Sequence, residues 1–275
     1  MNITRTAKEL VKAILWKGAA ESDGLKAVRV LSGPAAGTRL RIDIRCESAY
    51  WLGSYDRSIL RRITALVRPG QTVWDCGSFL GYYAAALRKK VGSSGRVICF
   101  EASSRNYERL LPMPAVNGWT NVEVIRMAVG PDHTTLRFVS GKGAASGPAD
   151  MPGKSAPGSL DDVENVACAG IDELVYEKGY AMPDFIKMDL ETAEVYALRN
   201  GSRLFTEKKP AVLIELHKDP KDRVPPAFEA AEEFLNRFGY EGTEVHLNRR
   251  VRTVSDFIEA EKKGVQCTIL AVPSR

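Results

Sequence analysis

A doubly wound α/β fold with a mostly parallel sheet is predicted by three observations. From Thr72 onward, apolar runs of strand length alternate with amphipathic segments of helix length; several of those runs end in an acidic residue; and the first passes through a glycine turn straight into a helix. The chain has 275 residues, enough to bury a substantial core. Its net charge of +5 is spread over residues of both signs, with no basic block interleaved with aromatics, so no nucleic-acid partner is expected. No apolar stretch reaches the length of a membrane span and the N-terminus lacks a signal-peptide pattern, so a cytoplasmic protein without stable membrane insertion is expected.

Residues 1–49 read as an N-terminal extension. In 5–18, Leu10, Val11, Ile14 and Leu15 share one helical face and Lys8, Lys12 and Lys17 lie elsewhere, which suits a helix docked on its own chain or on a second subunit, or one lying on a membrane surface. Residues 26–32 and 38–45 alternate like a hairpin turned at Gly33-Pro34. Residues 50–275 then form the main domain. Tyr50–Asp56 is dense in aromatics and admits two readings, a roof over a ligand or ordinary core. Asp56 is placed to cap the helix Arg57–Val67.

The stretch Val73–Gly81 carries the first chemical signal. A strand ending at Asp75, a turn at Gly77 and a helix from Gly81 make a site where unpaired helical N–H groups and bare backbone can meet a nucleotide-like ligand. A pyrophosphate would be repelled by Asp75, whereas a cationic nucleoside would not. S-adenosylmethionine, with its sulfonium and ammonium, therefore fits D-x-G-x-x-x-G better than a dinucleotide does. The next apolar run, Arg96–Phe100, stops at Glu101, about twenty residues beyond the glycine turn, where an acid can accept both ribose hydroxyls. Strands at 72–76, 96–101 and 122–126 and helices at 81–91 and 104–111 place Asp75, Glu101, Met127 and Ala128 along one carboxyl edge of the sheet, with the last two beside the adenine.

Residues 132–171 break the rhythm. Thr134–Val139 and Asn165–Ala169 read as strands, and between them Ser140–Leu160 is almost wholly Gly, Ala, Ser and Pro, a flexible insertion at about 140–160 that is either an active-site lid or an inert surface loop. Helix Ile171–Lys178 leads to the second signal, Asp184–Glu194. There an apolar strand delivers Lys187, Asp189 and Glu191 on alternate positions, with Asp189 at the ligand edge and Glu194 suited to be a dipole partner at the helix start. Pro210–His217 is another buried strand, ending in Glu215 and His217. His217 is the first candidate for general base, with Glu215 or Asp189 as helper. Residues 226–238 read as an amphipathic helix, and strands near Thr243–Leu247 and Val265–Val272 complete the sheet.

Cys46, Cys76, Cys99, Cys168 and Cys267 are isolated and odd in number, which implies neither a disulfide framework nor a zinc site. Cys76 adjoins the glycine turn, but alternation points it away from the face of Asp75 and Gly77, so packing is its expected role. No metal is assigned, since Asp189, Glu191, Glu215 and His217 are residue types that serve equally without one.

Four motifs in one order, Asp75-Cys76-Gly77-Ser78-Phe79-Leu80-Gly81, Phe100-Glu101, Ile186–Glu194 and Ile214-Glu215-Leu216-His217, resemble those of the FkbM-type S-adenosylmethionine-dependent methyltransferases over residues 50–245. The family patterns are D-x-G-A-N-x-G, F-E, I-K-x-D-x-E-G-x-E and an I-E-x-H-like strand. The resemblance implies a class I, Rossmann-like methyltransferase fold with an antiparallel last strand. It also implies methyl transfer to a hydroxyl of a sugar, natural-product or other small-molecule acceptor. Carried over residue by residue, Asp75 and Gly77 hold the methionine portion, Glu101 the ribose, and Met127 and Ala128 the adenine. Tyr55, Ser78, Gly81, Ala102 and Asp189 join the cofactor set, and Asp189, Glu215 and His217 serve the acceptor. The chain departs from the family at Ser78-Phe79, in place of Ala-Asn, and at Thr192, in place of glycine. A nucleotide-linked oxidoreductase and a cofactor-binding module without turnover are the alternatives; a homo-oligomer is left open.

Overall fold

Apolar strands that are buried on both faces need cover on both sides, and the chain supplies it. The computed structural model describes residues 24–140, 147–149, 163–217, 224–264 and 266–274. In chain order the strands are β1 (Lys26–Arg29), β2 (Arg39–Ile42), β3 (Thr72–Cys76), β4 (Arg96–Glu101), β5 (Val122–Arg126), β6 (Ala128–Val129) and β7 (Thr134–Val139). They continue with β8 (Gly147–Pro148), β9 (Val163–Ala169), β10 (Phe185–Met188), β11 (Ala211–Glu215), β12 (Tyr240–Glu244), β13 (Arg249–Val251) and β14 (Thr268–Pro273). Eight of them form one sheet in the order β13-β12-β14-β11-β10-β3-β4-β5. The run from β11 to β5 is parallel, and β14 pairs antiparallel with both β11 and β12. The predicted fold class and its antiparallel last strand are both present.

Alternation within the parallel strands divides two cores. Trp74, Cys76, Ile98, Phe100, Ile186, Met188, Val212 and Ile214 pack into one, and Val73, Val97, Cys99, Phe185 and Leu213 into the other. The hairpin β1–β2 forms as predicted, and Val30, Leu40 and Ile42 join the second core beside Ile59, Leu60 and Tyr82. Cys76, Cys99, Cys168 and Cys267 are buried, as packing requires. Chain order reverses between β3 and β10: from β3 the chain runs outward to β4 and β5, then returns to β10 on the other side. That switch point, at the carboxyl ends of the strands, is where an open α/β sheet leaves a crevice.

Three expectations need correction. Asp56 precedes helix Arg57–Leu66 but does not cap it with its side chain; at φ 42° its carboxylate turns instead to accept a hydrogen bond from the Tyr83 hydroxyl at 2.9 Å. The strand expected at 243–247 lies at Tyr240–Glu244, and a further strand, β13, and a helix, Val254–Lys262, follow it. That helix starts at a Thr253–Asp256 capping box, a T-x-x-D signature that the sequence displays openly. Around residues 132–171, β7 and β9 form where predicted, with β9 starting two residues earlier, and with β6 and β8 they make a separate four-stranded sheet. The helix expected at 5–18 and most of the insertion at about 140–160 lie outside the described residues. No helix among the described residues is long and apolar enough to cross a membrane.

Candidate active site

The parallel register puts the ends of β3, β4, β10 and β11 side by side, pairing Asp75 with Lys187, Cys76 with Phe100 and with Met188, and Met188 with Ile214. A cleft opens over these ends. One wall is apolar: Met127, Ala128 and Val129 after β5, with Leu136, Phe138 and Pro148 from the small sheet. Glu101, Ala102 and Asn106 stand at the tip of β4, Gly77 and Phe79 form the turn, and Asp189, Leu190, Glu191 and Ala193 close the far end. Tyr50 and Tyr55 cover the turn. Their rings lie 4.2 Å apart, and Tyr50 also approaches Phe79 at 6.0 Å and packs against the second core, so this aromatic segment serves both as cleft lining and as core.

Glu101 is 5% exposed and faces the cleft. One carboxylate oxygen accepts from the Phe79 N–H at 2.7 Å and the other from the Ser103 N–H at 3.0 Å, which leaves each oxygen a lone pair for a further donor such as a ribose hydroxyl. Burial raises its pKa to about 7 against those two N–H contacts. Since the folded pKa lies above the unfolded one, Glu101 favours the folded state most below about 4.5, and that contribution is lost as pH rises toward about 7. The ligand-free protein should therefore lose stability on going from pH 5 to 7, and the slope of melting temperature against pH should flatten in Glu101→Gln; equal slopes would place this titration elsewhere.

Asp75 is not where the sequence suggested. It is fully buried and absent from the cleft lining, and neither oxygen makes a hydrogen bond of ordinary geometry. Its partner is Lys187, whose ammonium lies 3.6 Å from Asp75 and 3.3 Å from Asp189 and donates to the Gly77 carbonyl at 2.7 Å. Burial raises the Asp75 pKa, with the Lys187 charge opposing. For Lys187 burial lowers the pKa but Asp189 and Asp75 reverse that, so the ammonium stays charged. Asp75 thus acts beneath the turn, by anchoring the lysine that grips it. Ser78 and Gly81 also leave the lining: the Ser78 hydroxyl donates to the Asp75 carbonyl at 2.6 Å, and Gly81 makes room for Met113 and Leu110, which a Cβ would meet at 2.5 and 2.6 Å.

Gly77 is constrained more tightly. Its φ is +78° and a Cβ there would lie 1.9 Å from the carbonyl oxygen of Asp189, so the turn after β3 and the end of β10 touch through bare backbone. Phe79 and Thr192, the two departures from the family pattern, both take positive φ, at 50° and 89°. Phe79 keeps its place through its N–H bond to Glu101, the Tyr50 ring and the Arg109 guanidinium 5.3 Å from its own ring. Thr192 has no such compensation: it is β-branched, 8% exposed, and its hydroxyl oxygen is buried without a partner. Thr192→Gly should raise unfolding stability by about 1 kcal/mol, relief of strain outweighing the freedom that glycine adds to the unfolded chain. A lower denaturation midpoint would show that the methyl group packs better than its backbone suggests.

Beyond Asp189 the site becomes ionic. His217 Nδ1 lies 2.8 Å from Glu194 Oε1, and its Nε2 faces Asp189, Glu215 and Glu191 at 3.6, 3.8 and 3.9 Å. Burial alone would lower the His217 pKa, but Glu194, Asp189 and Glu191 push it up to about 10. While no cation lies beside it, these carboxylates therefore favour the charged ring, which weighs against His217 as the general base. Burial and the Asp189 charge raise Glu215 to about 7. Neither Glu215 nor His217 lines the cleft; Asp189 joins them to it. Glu194, expected only as a dipole partner, is fully buried and also accepts from the Leu190 N–H at 2.8 Å. Asn106, Leu136, Phe138 and Pro148 are residues of the site that sequence reasoning passed over.

A doubly wound sheet with a buried carboxylate and an apolar slot at its switch point is a fold of the class I methyltransferase type. Comparison with known proteins bears this out. The family model of the methyltransferase FkbM domain matches residues 75–241. The FkbM methyltransferase structure from Methylobacillus flagellatus KT is 21% identical, with a TM-score of 0.50, over 78% of this chain and 47% of that one. The chain thus spans about half the length of that protein. Looser likenesses are a SAM-dependent methyltransferase from Aquifex aeolicus (15% identity, TM-score 0.38, 78% and 88% covered) and Aeropyrum pernix fibrillarin, crystallised with natively bound S-adenosyl-L-methionine (14%, 0.43, 94% and 86%). No curated protein matches. The chain belongs to the FkbM methyltransferase family.

Proposed function

We propose that this chain transfers a methyl group to a hydroxyl of a small-molecule or glycan acceptor. The observation that carries the reading is the polarity of the cleft, with an apolar slot and a single buried carboxylate at one end and, at the other, Asp189 and Glu191, which lead to Glu215 and the His217 imidazole just beyond the lining. S-adenosylmethionine, when bound, supplies the electrophilic methyl group. The described residues fit it: Glu101 has lone pairs to spare for the ribose hydroxyls, and Met127, Ala128, Val129, Leu136 and Phe138 offer a slot for a flat base. Gly77 offers bare backbone to the amino-acid end, while Tyr50 and Tyr55 exclude water from above.

The protein's main contribution is positional. Holding an acceptor oxygen in line behind a methyl group replaces a bimolecular encounter with an oriented one. Asp189 and Glu215 are the carboxylates placed to orient that hydroxyl and take its proton, with the His217 ring between them. Incubation with methyl-labelled S-adenosylmethionine and a panel of hydroxylated sugars and polyketides tests the reading. Labelled product should form with a hydroxylated acceptor, and Glu215→Gln should lower kcat about a hundredfold while cofactor affinity changes less than twofold. Cofactor binding without transfer to any acceptor would favour a binding module instead; transfer only to nitrogen would refute the hydroxyl.

A further inference from the structure

We infer that Asp189, Glu215 and His217 form a binding site for one divalent metal ion of the Mn²⁺ or Mg²⁺ class, at the acceptor end of the cleft. Among the described residues this is the one group of His, Cys, Asp and Glu whose donor atoms gather for a metal, all within 4.8 Å of one another.

The distances distinguish this arrangement from an ion-paired histidine. An imidazolium N–H that donates to a carboxylate closes to about 2.7–2.9 Å. His217 Nδ1 does so with Glu194 at 2.8 Å, yet Nε2 stops 3.6 Å from Asp189 Oδ1 and 3.8 Å from Glu215 Oε1, with Glu191 Oε2 at 3.9 Å. Donors about 2.1–2.4 Å from a shared cation, set at right angles or somewhat wider, lie about 3–4 Å from one another. The three Nε2–oxygen separations are thus those of donors around a shared ion and longer than direct hydrogen bonds. Asp189 divides its oxygens accordingly: Oδ2 lies 3.3 Å from Lys187 and Oδ1 is the one turned to His217.

A second observation comes from outside the donor set. Glu194 is fully buried, its Oε1 is directed at the far nitrogen of the ring, and its Oε2 is buried with no hydrogen-bond partner. Burying a carboxylate with an orphaned oxygen is costly. A carboxylate behind a histidine is, however, how metal sites fix the ring's tautomer and raise its donor strength, leaving the other nitrogen for the ion. The donor side chains are 16% to 32% exposed, which admits an ion and leaves room for water or a substrate oxygen on its open positions. Two carboxylates with one imidazole suit Mn²⁺ and Mg²⁺ better than the thiolate-seeking metals. An ion there would replace the ring proton as the positive charge among these acids and lower the proton affinity of an acceptor hydroxyl touching it.

The test uses the whole chain and Mn²⁺ alone. Titration followed by the electron paramagnetic resonance of free Mn²⁺ should show one site per chain, competed by Mg²⁺. The site should weaken at least tenfold in Glu215→Gln and in His217→Gln and stay unchanged in Glu241→Gln, a variant of an exposed carboxylate elsewhere. Since Glu215→Gln is nearly isosteric, circular dichroism and melting confirm that it folds. Wild-type protein that binds no Mn²⁺, or binds it as well as the two variants do, overturns the site. Titration with S-adenosylhomocysteine, run in parallel, keeps the questions apart: Mn²⁺ binding without nucleoside binding would sink the proposed cofactor cleft but not the metal site, and the reverse result would sink only the metal.

Discussion

Gly77→Ala should be the most damaging single-atom change at the cleft, costing about 3–5 kcal/mol of unfolding free energy and abolishing measurable cofactor binding. Two effects combine. The residue sits at φ +78°, a conformation in which an L side chain is strained, and the new Cβ would lie 1.9 Å from the Asp189 carbonyl oxygen. Neither partner can step aside cheaply. The Gly77 N–H donates to the Phe100 carbonyl, the Asp189 N–H donates to the Cys76 carbonyl, and Lys187 holds the Gly77 carbonyl. Relief must therefore pull apart β3, β4 and β10 at the edge where the ligand sits. Chemical denaturation and isothermal titration with S-adenosylhomocysteine measure both effects; a variant within about 1 kcal/mol of wild type with normal affinity would mean that the turn is looser than this packing implies.

Glu101→Ala should weaken cofactor binding by about 1.5–3 kcal/mol, or roughly ten- to more than a hundredfold. The loss includes the contacts to the ribose and also the freeing of the Phe79 and Ser103 N–H groups that the carboxylate now holds. Glu101→Gln separates the two, because an amide oxygen can still accept one N–H and one hydroxyl. Its affinity should fall between those of wild type and Glu101→Ala. Unchanged affinity in Glu101→Ala would remove this residue from the site altogether.

The sequence displays the fold in its strand ends. Asp75, Glu101, Asp189 and Glu215 each mark where a buried run meets the carboxyl edge, because an acid there can leave the sheet without breaking the apolar faces. Which way each acid turns was not legible. Asp75 and Lys187 are far apart in the chain, and only the pairing of β3 with β10 shows that the lysine lies against the acid. Residue type pointed to His217, but only the fold shows that four carboxylates from three segments converge on it. Leu136, Phe138 and Pro148 were missed for another reason. Thr134–Val139 and Asn165–Ala169 read as strands, but nothing in the sequence shows that their antiparallel pairing carries Leu136 and Phe138 back against the cleft. The Thr253–Asp256 box, by contrast, was in plain view.

A crystal structure of the chain with S-adenosylhomocysteine would test the central claim most directly. The account predicts the ribose hydroxyls within about 3 Å of the Glu101 carboxylate, the adenine between Met127–Ala128 and Leu136–Phe138, and Asp75 still on Lys187, out of contact with the ligand. A nucleoside seated away from Glu101, or one that Asp75 touches directly, would contradict it.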